Sequence, residues 1–206
     1  FNALSRVEIG KEDLSIDSRF LGREISRLLP VNGPREVANI INALSKCGYE
    51  RSDLEIDPNL LSGVINTILP NAKILAISIM VSELSQMGFN KDNLPINANL
   101  LVEEIGKKIS EATNLSVITD ILKGLHSFSN EDMTSTMCRH IYSQTQTIDL
   151  LSKEKKLIDI AHNIDALIHI GFKREDDLIN HVLFETLEKS IPQSGLSAIY
   201  ITLDSL

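Results

Sequence analysis

The sequence contains no tryptophan, and phenylalanine and tyrosine together make up only 4% of it. A surface that holds single-stranded nucleic acid by stacking bases on exposed rings therefore has little to draw on. The two cysteines, Cys47 and Cys138, cannot form a disulfide framework and fit a reducing compartment or inert buried thiols. No run approaches 18 consecutive apolar residues, which excludes a membrane-spanning helix in this segment. Glycine-rich phosphate loops, H-E-x-x-H, C-x-x-C and a nucleophile elbow are all missing. The histidines, His126, His140, His162, His169 and His181, are scattered. His162 and His169, seven apart, supply two ligands where a structural zinc site takes four. Cys138 and His140, two apart on a helix, point to different sides. The expectation is a protein with no catalytic residues, no metal, no cofactor and no small-molecule substrate.

What the sequence does have is a balance suited to a folded, soluble chain. Of 206 residues, 43% are hydrophobic and 23% charged, with a formal net charge of −8; disorder requires lower hydrophobicity and a heavier excess of one sign. The chain opens mid-pattern at Phe1-Asn2-Ala3-Leu4 without an initiator methionine. We expect it to be a piece of a longer protein whose targeting segment lies outside it.

The sequence repeats itself. Residues 1–17, FNALSRVEIGKEDLSID, and residues 41–57, INALSKCGYERSDLEID, share eight identities in 17 at an offset of 40. Residues 81–97, VSELSQMGFNKDNLPIN, retain Leu84, Ser85, Gly88, Leu94 and Ile96, with Asn93 and Asn97 in place of Asp53 and Asp57. Weaker echoes at KGLHSFS, DALIHIGF and the closing DSL give marker leucines at 4, 44, 84, 125, 167 and 206. Their spacings are 40, 40, 41, 42 and 39 residues, and self-similarity at a fixed period is the mark of a repeat architecture. Residues 1–206 are expected to form a single array, cut from a longer one.

Each period reads as two helices. Asp17, Asp57 and Asn97 are placed to cap the first helix, with Pro58 at a position where its missing N–H costs nothing. That helix carries the stripe Phe20, Leu21, Ile25, Leu28 and Leu29, repeated as Leu60, Leu61, Ile65, Ile68, Leu69 and as Leu100, Leu101, Ile105, Ile109, with Lys108 the one exception. The second helix carries Val37, Ile40, Ile41 and Leu44, then Ile77, Met80, Val81 and Leu84, then Ile118, Ile121, Leu122 and Leu125. Gly48, Gly88 and Gly171 stand where a left-handed residue ends it, each followed by an aromatic: Tyr49, Phe89 and Phe172. No segment alternates as a strand. The expected fold is all-α, a right-handed α-solenoid of about five two-helix repeats.

A period near 40 is longer than tetratricopeptide or ankyrin repeats and falls within the HEAT and armadillo range. The end of the second helix, in VANIINALSKCGYERSDL, ISIMVSELSQMGFNKDNL and IAHNIDALIHIGFKREDDL, resembles the organellar repeats of the octotricopeptide, heptatricopeptide and FAST-kinase-like RAP group. Their second helix closes on a pattern like L-A-x-x-L-x-A-L-x-x-L-G-[YF]. The aromatic usual before the "AL" is replaced here by Asn42, Ser82 and Asp165. The resemblance covers nearly the whole chain, strongly over 1–97 and weakly over 130–165. It implies non-enzymatic work in mitochondria or plastids, in RNA stabilisation, processing or translation, or as a component of an organellar ribosome. It also implies that polar positions on the first helices meet the RNA.

Arg19, Arg23 and Arg27, spaced i, i+4, i+8, line up along one face of the first helix, as a row that follows phosphates would. Equivalent positions are Asn59, Gly63 and Thr67, then Asn99, Glu103 and Lys107. The candidate RNA-binding residues are thus Arg19, Arg23, Arg27, Asn59, Asn99 and Lys107; a solvated helix face, with Glu24 paired to its neighbours, accounts for the same pattern. Lys153, Lys155 and Lys156 fall at the expected start of a second helix and read as solvated. Most of the negative charge lies in the last period, where Glu175, Asp176, Asp177, Glu185, Glu188 and Asp204 face Lys189 alone. Glu175, Asp176, Asp177, Glu185 and Glu188 are the candidate contacts to a protein partner with a basic surface.

Two functional readings stand. The first is a mitochondrial, RNA-associated repeat protein, either gripping a transcript or embedded in the mitochondrial ribosome with ribosomal RNA and protein subunits as partners. The second is a protein–protein scaffold in another large organellar complex.

Overall fold

Asp17 Oδ1 accepts hydrogen bonds from the backbone N–H groups of Arg19 and Phe20 at 2.8 and 2.9 Å, and the first helix starts there. The same device opens the third helix, where Asp57 accepts from Asn59 at 2.9 Å, and the fifth, where Asn97 accepts from Leu100 at 3.1 Å. Asn114 and Asn130 cap two more, accepting from Val117 and Met133. Each such cap satisfies an N–H that the helix itself leaves without a partner and is worth about 1 kcal/mol.

The computed structural model describes residues 10–14, 16–144, 157–169 and 172. Among the described residues there are eight α-helices and no strand: α1 (Ser18–Leu28), α2 (Pro34–Lys46), α3 (Pro58–Ile68), α4 (Ile74–Gln86), α5 (Ala98–Lys108), α6 (Leu115–Phe128), α7 (Glu131–Ser143) and α8 (Leu157–His169). None is long and apolar enough to cross a membrane. Single 3-10 turns, Leu29–Val31, Leu69–Asn71 and Ile109–Glu111, extend α1, α3 and α5.

The ends of α2 and α4 follow the glycine expectation. Gly48 and Gly88 have φ of +76° and +86°, a conformation open to glycine at no steric cost. The N–H of Tyr49 then reaches Leu44 O at 3.0 Å and that of Phe89 reaches Leu84 O at 2.9 Å, the six-to-one bond of a Schellman ending. Phe172 makes the same bond to Leu167 at 3.1 Å; Gly171 lies outside the described residues. All three aromatics are buried. They pack as the sequence pattern anticipates and are not available for base stacking.

The even-numbered helices pack in succession, α2 on α4, α4 on α6 and α6 on α8. Their facing stripes, including Ile41, Leu44, Ile77, Met80, Val81, Leu84, Ile118, Leu122, Leu125, Ile160, Ile164 and Leu167, join one buried apolar cluster with the inner faces of the odd-numbered helices. Backbone bonds tie neighbouring units at corresponding places: Arg51 N–H to Met87 O at 2.8 Å and Lys91 N–H to Ser127 O at 2.9 Å. Lys11 Nζ bridges to Asp53 Oδ2 at 2.7 Å across a similar interval.

Lys108, the exception in the apolar stripe, has a structural use. Its ammonium donates to Leu69 O at 3.0 Å, Pro70 O at 2.9 Å and Glu104 Oε2 at 2.6 Å. It closes the carbonyls that the end of α3 leaves open and partners a buried glutamate.

The regular spacing breaks after α6. Starts of α1, α3 and α5 are 40 residues apart, whereas α7 starts 33 after α5. Only Ser129 and Asn130 separate α6 from α7, and the Ser129 and Thr134 hydroxyls, 2.6 Å apart, lock that joint. Farther on, Tyr142 Oη donates to Asn163 Oδ1 at 2.8 Å, and Asn163 Nδ2 donates to Leu115 O and Thr119 Oγ1. A fully buried amide thus joins α6, α7 and α8.

Candidate nucleic-acid interface

Capping by Asp17 fixes where α1 starts and therefore which way its arginines face. Arg19, Arg23 and Arg27 are all exposed, along one side of α1. Their electrostatic situations differ. Arg19 Nε lies 3.1 Å from Glu55 Oε1, and Arg27 Nη2 lies 2.9 Å from Glu24 Oε2. Among the described residues no carboxylate comes within 4.0 Å of Arg23. On α5 the ammonium of Lys107 bridges Glu103 at 2.6 Å and Glu104 at 2.8 Å. Those two carboxylates, Glu103 first, hold its pKa well above the ordinary lysine value. The exposed pairs among these, Arg19–Glu55, Arg27–Glu24 and Lys107–Glu103, are weak and screened by salt, whereas Glu104 is buried.

Asn59 and Asn99 are exposed as the spacing requires. Asn59, Gly63 and Thr67 come together with Pro30, Leu60, Val64 and Ile68 around a shallow depression of about 380 Å³ between the end of α1 and α3. Thr67 donates its hydroxyl to Gly63 O in its own helix. Asn66 Oδ1, one residue earlier, accepts the N–H of Asn97 at 2.9 Å and so fixes α5 relative to α3. Glu175, Asp176, Asp177, Glu185 and Glu188 lie outside the described residues, as do Lys153, Lys155 and Lys156.

The apolar-stripe expectation needs one correction. Phe20 and Leu28 are surface residues, Phe20 being 55% exposed. Their counterparts Leu60, Ile68 and Leu100 are half-buried, because α3 is covered by the Leu29–Val31 turn and α5 by the Leu69–Asn71 turn. Among the described residues no such turn covers α1. The result is an aromatic ring on the same exposed side of α1 as Arg23, three residues on. Tyr142 is buried, and burial raises its pKa well above the ordinary tyrosine value.

Sequence reasoning missed a second set of polar groups on the even-numbered helices. Glu83 of α4 is only 8% exposed, and its Oε1 lies 3.7 Å from Lys46 Nζ of α2. Its Oε2 has no hydrogen-bond partner among the described residues. Asp120 of α6 is held above the usual carboxylate range by burial and then by the charge of Glu83, against the opposing pull of Lys123, Lys46 and the Ser82 hydroxyl. Glu83 stands where the neighbouring units have Ala43 and Gly124, and that misfit was the available signal.

Both cysteines are free thiols and buried. Burial pushes the Cys138 thiol up to about 12, so it is not a nucleophile at neutral pH. Neither family models, curated proteins nor solved structures give a significant match to this chain.

Proposed function

We propose that the chain is a stretch of a right-handed α-solenoid of five two-helix repeats and serves as a non-enzymatic, RNA-associated protein of the mitochondrion. The role that fits its mixed surface best is a structural component of the mitochondrial ribosome, touching ribosomal RNA at one part and protein subunits at another. The observation that carries this reading is the exposed ring of Phe20 beside Arg23, which has no carboxylate within 4.0 Å among the described residues, flanked by Arg19 and Arg27. A ring with a nearby guanidinium offers stacking and phosphate contact together. The family resemblance supplies the compartment and the class of RNA.

A scaffold for the protein subunits of another large organellar complex is the second reading. It is favoured by the carboxylates already paired with Arg19, Arg27 and Lys107, which lower the attraction of this face for phosphate.

The test is native purification of the full-length protein, split into RNase-treated and untreated halves, with sizing and mass spectrometry of each. The RNA reading expects co-migration with ribosomal RNA and ribosomal proteins that collapses on RNase treatment. An assembly that resists RNase and contains no nucleic acid overturns it in favour of the scaffold.

A further inference from the structure

Asparagine is followed by glycine at a single place in the sequence, Asn32-Gly33, and that place is the corner between α1 and α2. Asn32 ends the Leu29–Val31 turn and Gly33 is the residue from which α2 starts. Among the described residues no acceptor meets the Gly33 N–H, and with no Cβ on Gly33 its nitrogen is open to close approach. The Glu36 carboxylate, in the first turn of α2, lies over Gly33: a Cβ built there would stand 3.0 Å from Glu36 Oε2. A glutamate at this third helical position is placed to turn back toward the N–H of the capping residue. Two features work the other way. Asn32 Nδ2 donates to Leu28 O at 2.7 Å, and a ψ of 151° at Asn32 turns the Gly33 nitrogen away from the side-chain amide.

We propose that Asn32 is a site of spontaneous deamidation, restrained by its bond to Leu28 and assisted by Glu36. When the corner opens locally and ψ of Asn32 rotates, the Gly33 nitrogen attacks Asn32 Cγ. The N–Cγ bond forms and the Cγ–Nδ2 bond breaks. The proton of the Gly33 amide passes through the Glu36 carboxylate to the departing nitrogen, which leaves as ammonia. Water then opens the resulting five-membered succinimide at one of its two carbonyls. One opening gives aspartate; the other gives isoaspartate, whose main chain runs through the former side chain and is longer by one carbon. Neither product can donate to Leu28 O, and both put a carboxylate at the negative end of α1. The joint between the first two helices therefore weakens as the protein ages. The site does not involve the arginine row of α1, so it holds or fails independently of the RNA reading.

The experiment keeps the full chain at neutral pH, in buffer and in guanidinium chloride, and samples it over time. Trypsin releases residues 28–35 between Arg27 and Arg35, and chromatography with mass spectrometry follows the amide of Asn32 into its aspartyl and isoaspartyl forms. Asn71, exposed in the equivalent turn and followed by alanine, is the internal control. In the folded chain Asn32 is expected to convert ahead of Asn71, and to convert several-fold faster once denaturant releases the corner. Gly33→Ala should slow it in both conditions. Glu36→Gln should slow it in the folded chain alone, because the carboxylate is held near Gly33 only by α2. Conversion of Asn32 no faster than that of Asn71 in the folded chain overturns the proposed site. Equal rates with and without denaturant overturn the restraint, and a folded-state rate indifferent to Glu36→Gln overturns the part given to the carboxylate.

Discussion

Val81 of α4 occupies the space that a side chain on Gly124 of α6 would need. A Cβ built on that glycine overlaps the Val81 side chain and comes within 2.9 Å of its carbonyl carbon. The two helices can approach this closely only because one of them has no side chain at the crossing. Around it lie Ile77, Leu84, Ile121 and Leu125, all buried.

Gly124→Ala should therefore destabilise the protein, although alanine is the better helix former. Helix propensity favours the change by about 1 kcal/mol. Overpacking opposes it by about 1–3 kcal/mol or more where backbone must shift. Urea denaturation of the full chain should show a lower midpoint, and pairing the change with Val81→Ala should restore less than the whole loss, because the backbone contact persists. An unchanged midpoint for Gly124→Ala would mean that α4 and α6 are farther apart than described.

Lys108 gives a prediction in which pattern and structure disagree. The apolar stripe argues that Lys108→Leu should stabilise, completing the series Leu28 and Ile68. The structure argues the reverse, because the ammonium satisfies Leu69 O, Pro70 O and the buried Glu104. Removing it leaves polar groups short of partners at a cost of about 1–3 kcal/mol. Glu104→Gln combined with Lys108→Leu should recover part of the loss by removing a buried charge that retains only one of its two ammonium partners, Lys107. A rise in thermal midpoint for Lys108→Leu alone would sink the account.

Asp120 should make stability depend on pH in a direction opposite to that of a well-paired carboxylate. Its folded pKa is raised, by burial first and by Glu83 second. The folded state therefore binds this proton more tightly than the unfolded chain does. Stability from this group is fully present below the unfolded carboxylate pKa and is lost as pH rises through the raised folded value. Asp120→Asn should raise the thermal midpoint at pH 7 and raise it less as pH falls toward the ordinary carboxylate pKa. An equal effect across that range would show that the charge is not the cause.

How much of this was legible in the sequence depends on distance along the chain. The caps at Asp17, Asp57 and Asn97 and the endings at Gly48 and Gly88 act within five residues, so local pattern found them. The helices over residues 18–46 and 58–86 followed from the same signals. Tyr142 with Asn163, Ser85 with Ser127 and Lys46 with Glu83 are 21 to 42 residues apart or more than a helix away. Periodicity says which face is apolar and says nothing about which polar groups meet across it. The reading thinned over 130–165 because α7 follows α6 after two residues, where the earlier units have a linker of nine or more. Phe20 was misplaced because its burial depends on a covering turn before α1, which no property of α1 itself determines.

The arginine row on α1 should not act as three equal charges. Arg19 and Arg27 already face Glu55 and Glu24, whereas among the described residues no carboxylate comes within 4.0 Å of Arg23. If the row holds RNA, Arg23→Glu should weaken binding of a uridine oligomer more than Arg19→Glu. Each lost phosphate contact should also lower the salt dependence by about one counterion. Glu55→Gln should strengthen binding, because it frees Arg19 without adding a charge to the helix. Phe20→Ala should cost affinity with no change in the salt slope, since stacking carries no net charge. Filter binding across a salt series on the full chain separates these effects. Equal losses from Arg19→Glu and Arg23→Glu, with Glu55→Gln neutral, would show that only the overall charge of this face matters and that its geometry does not.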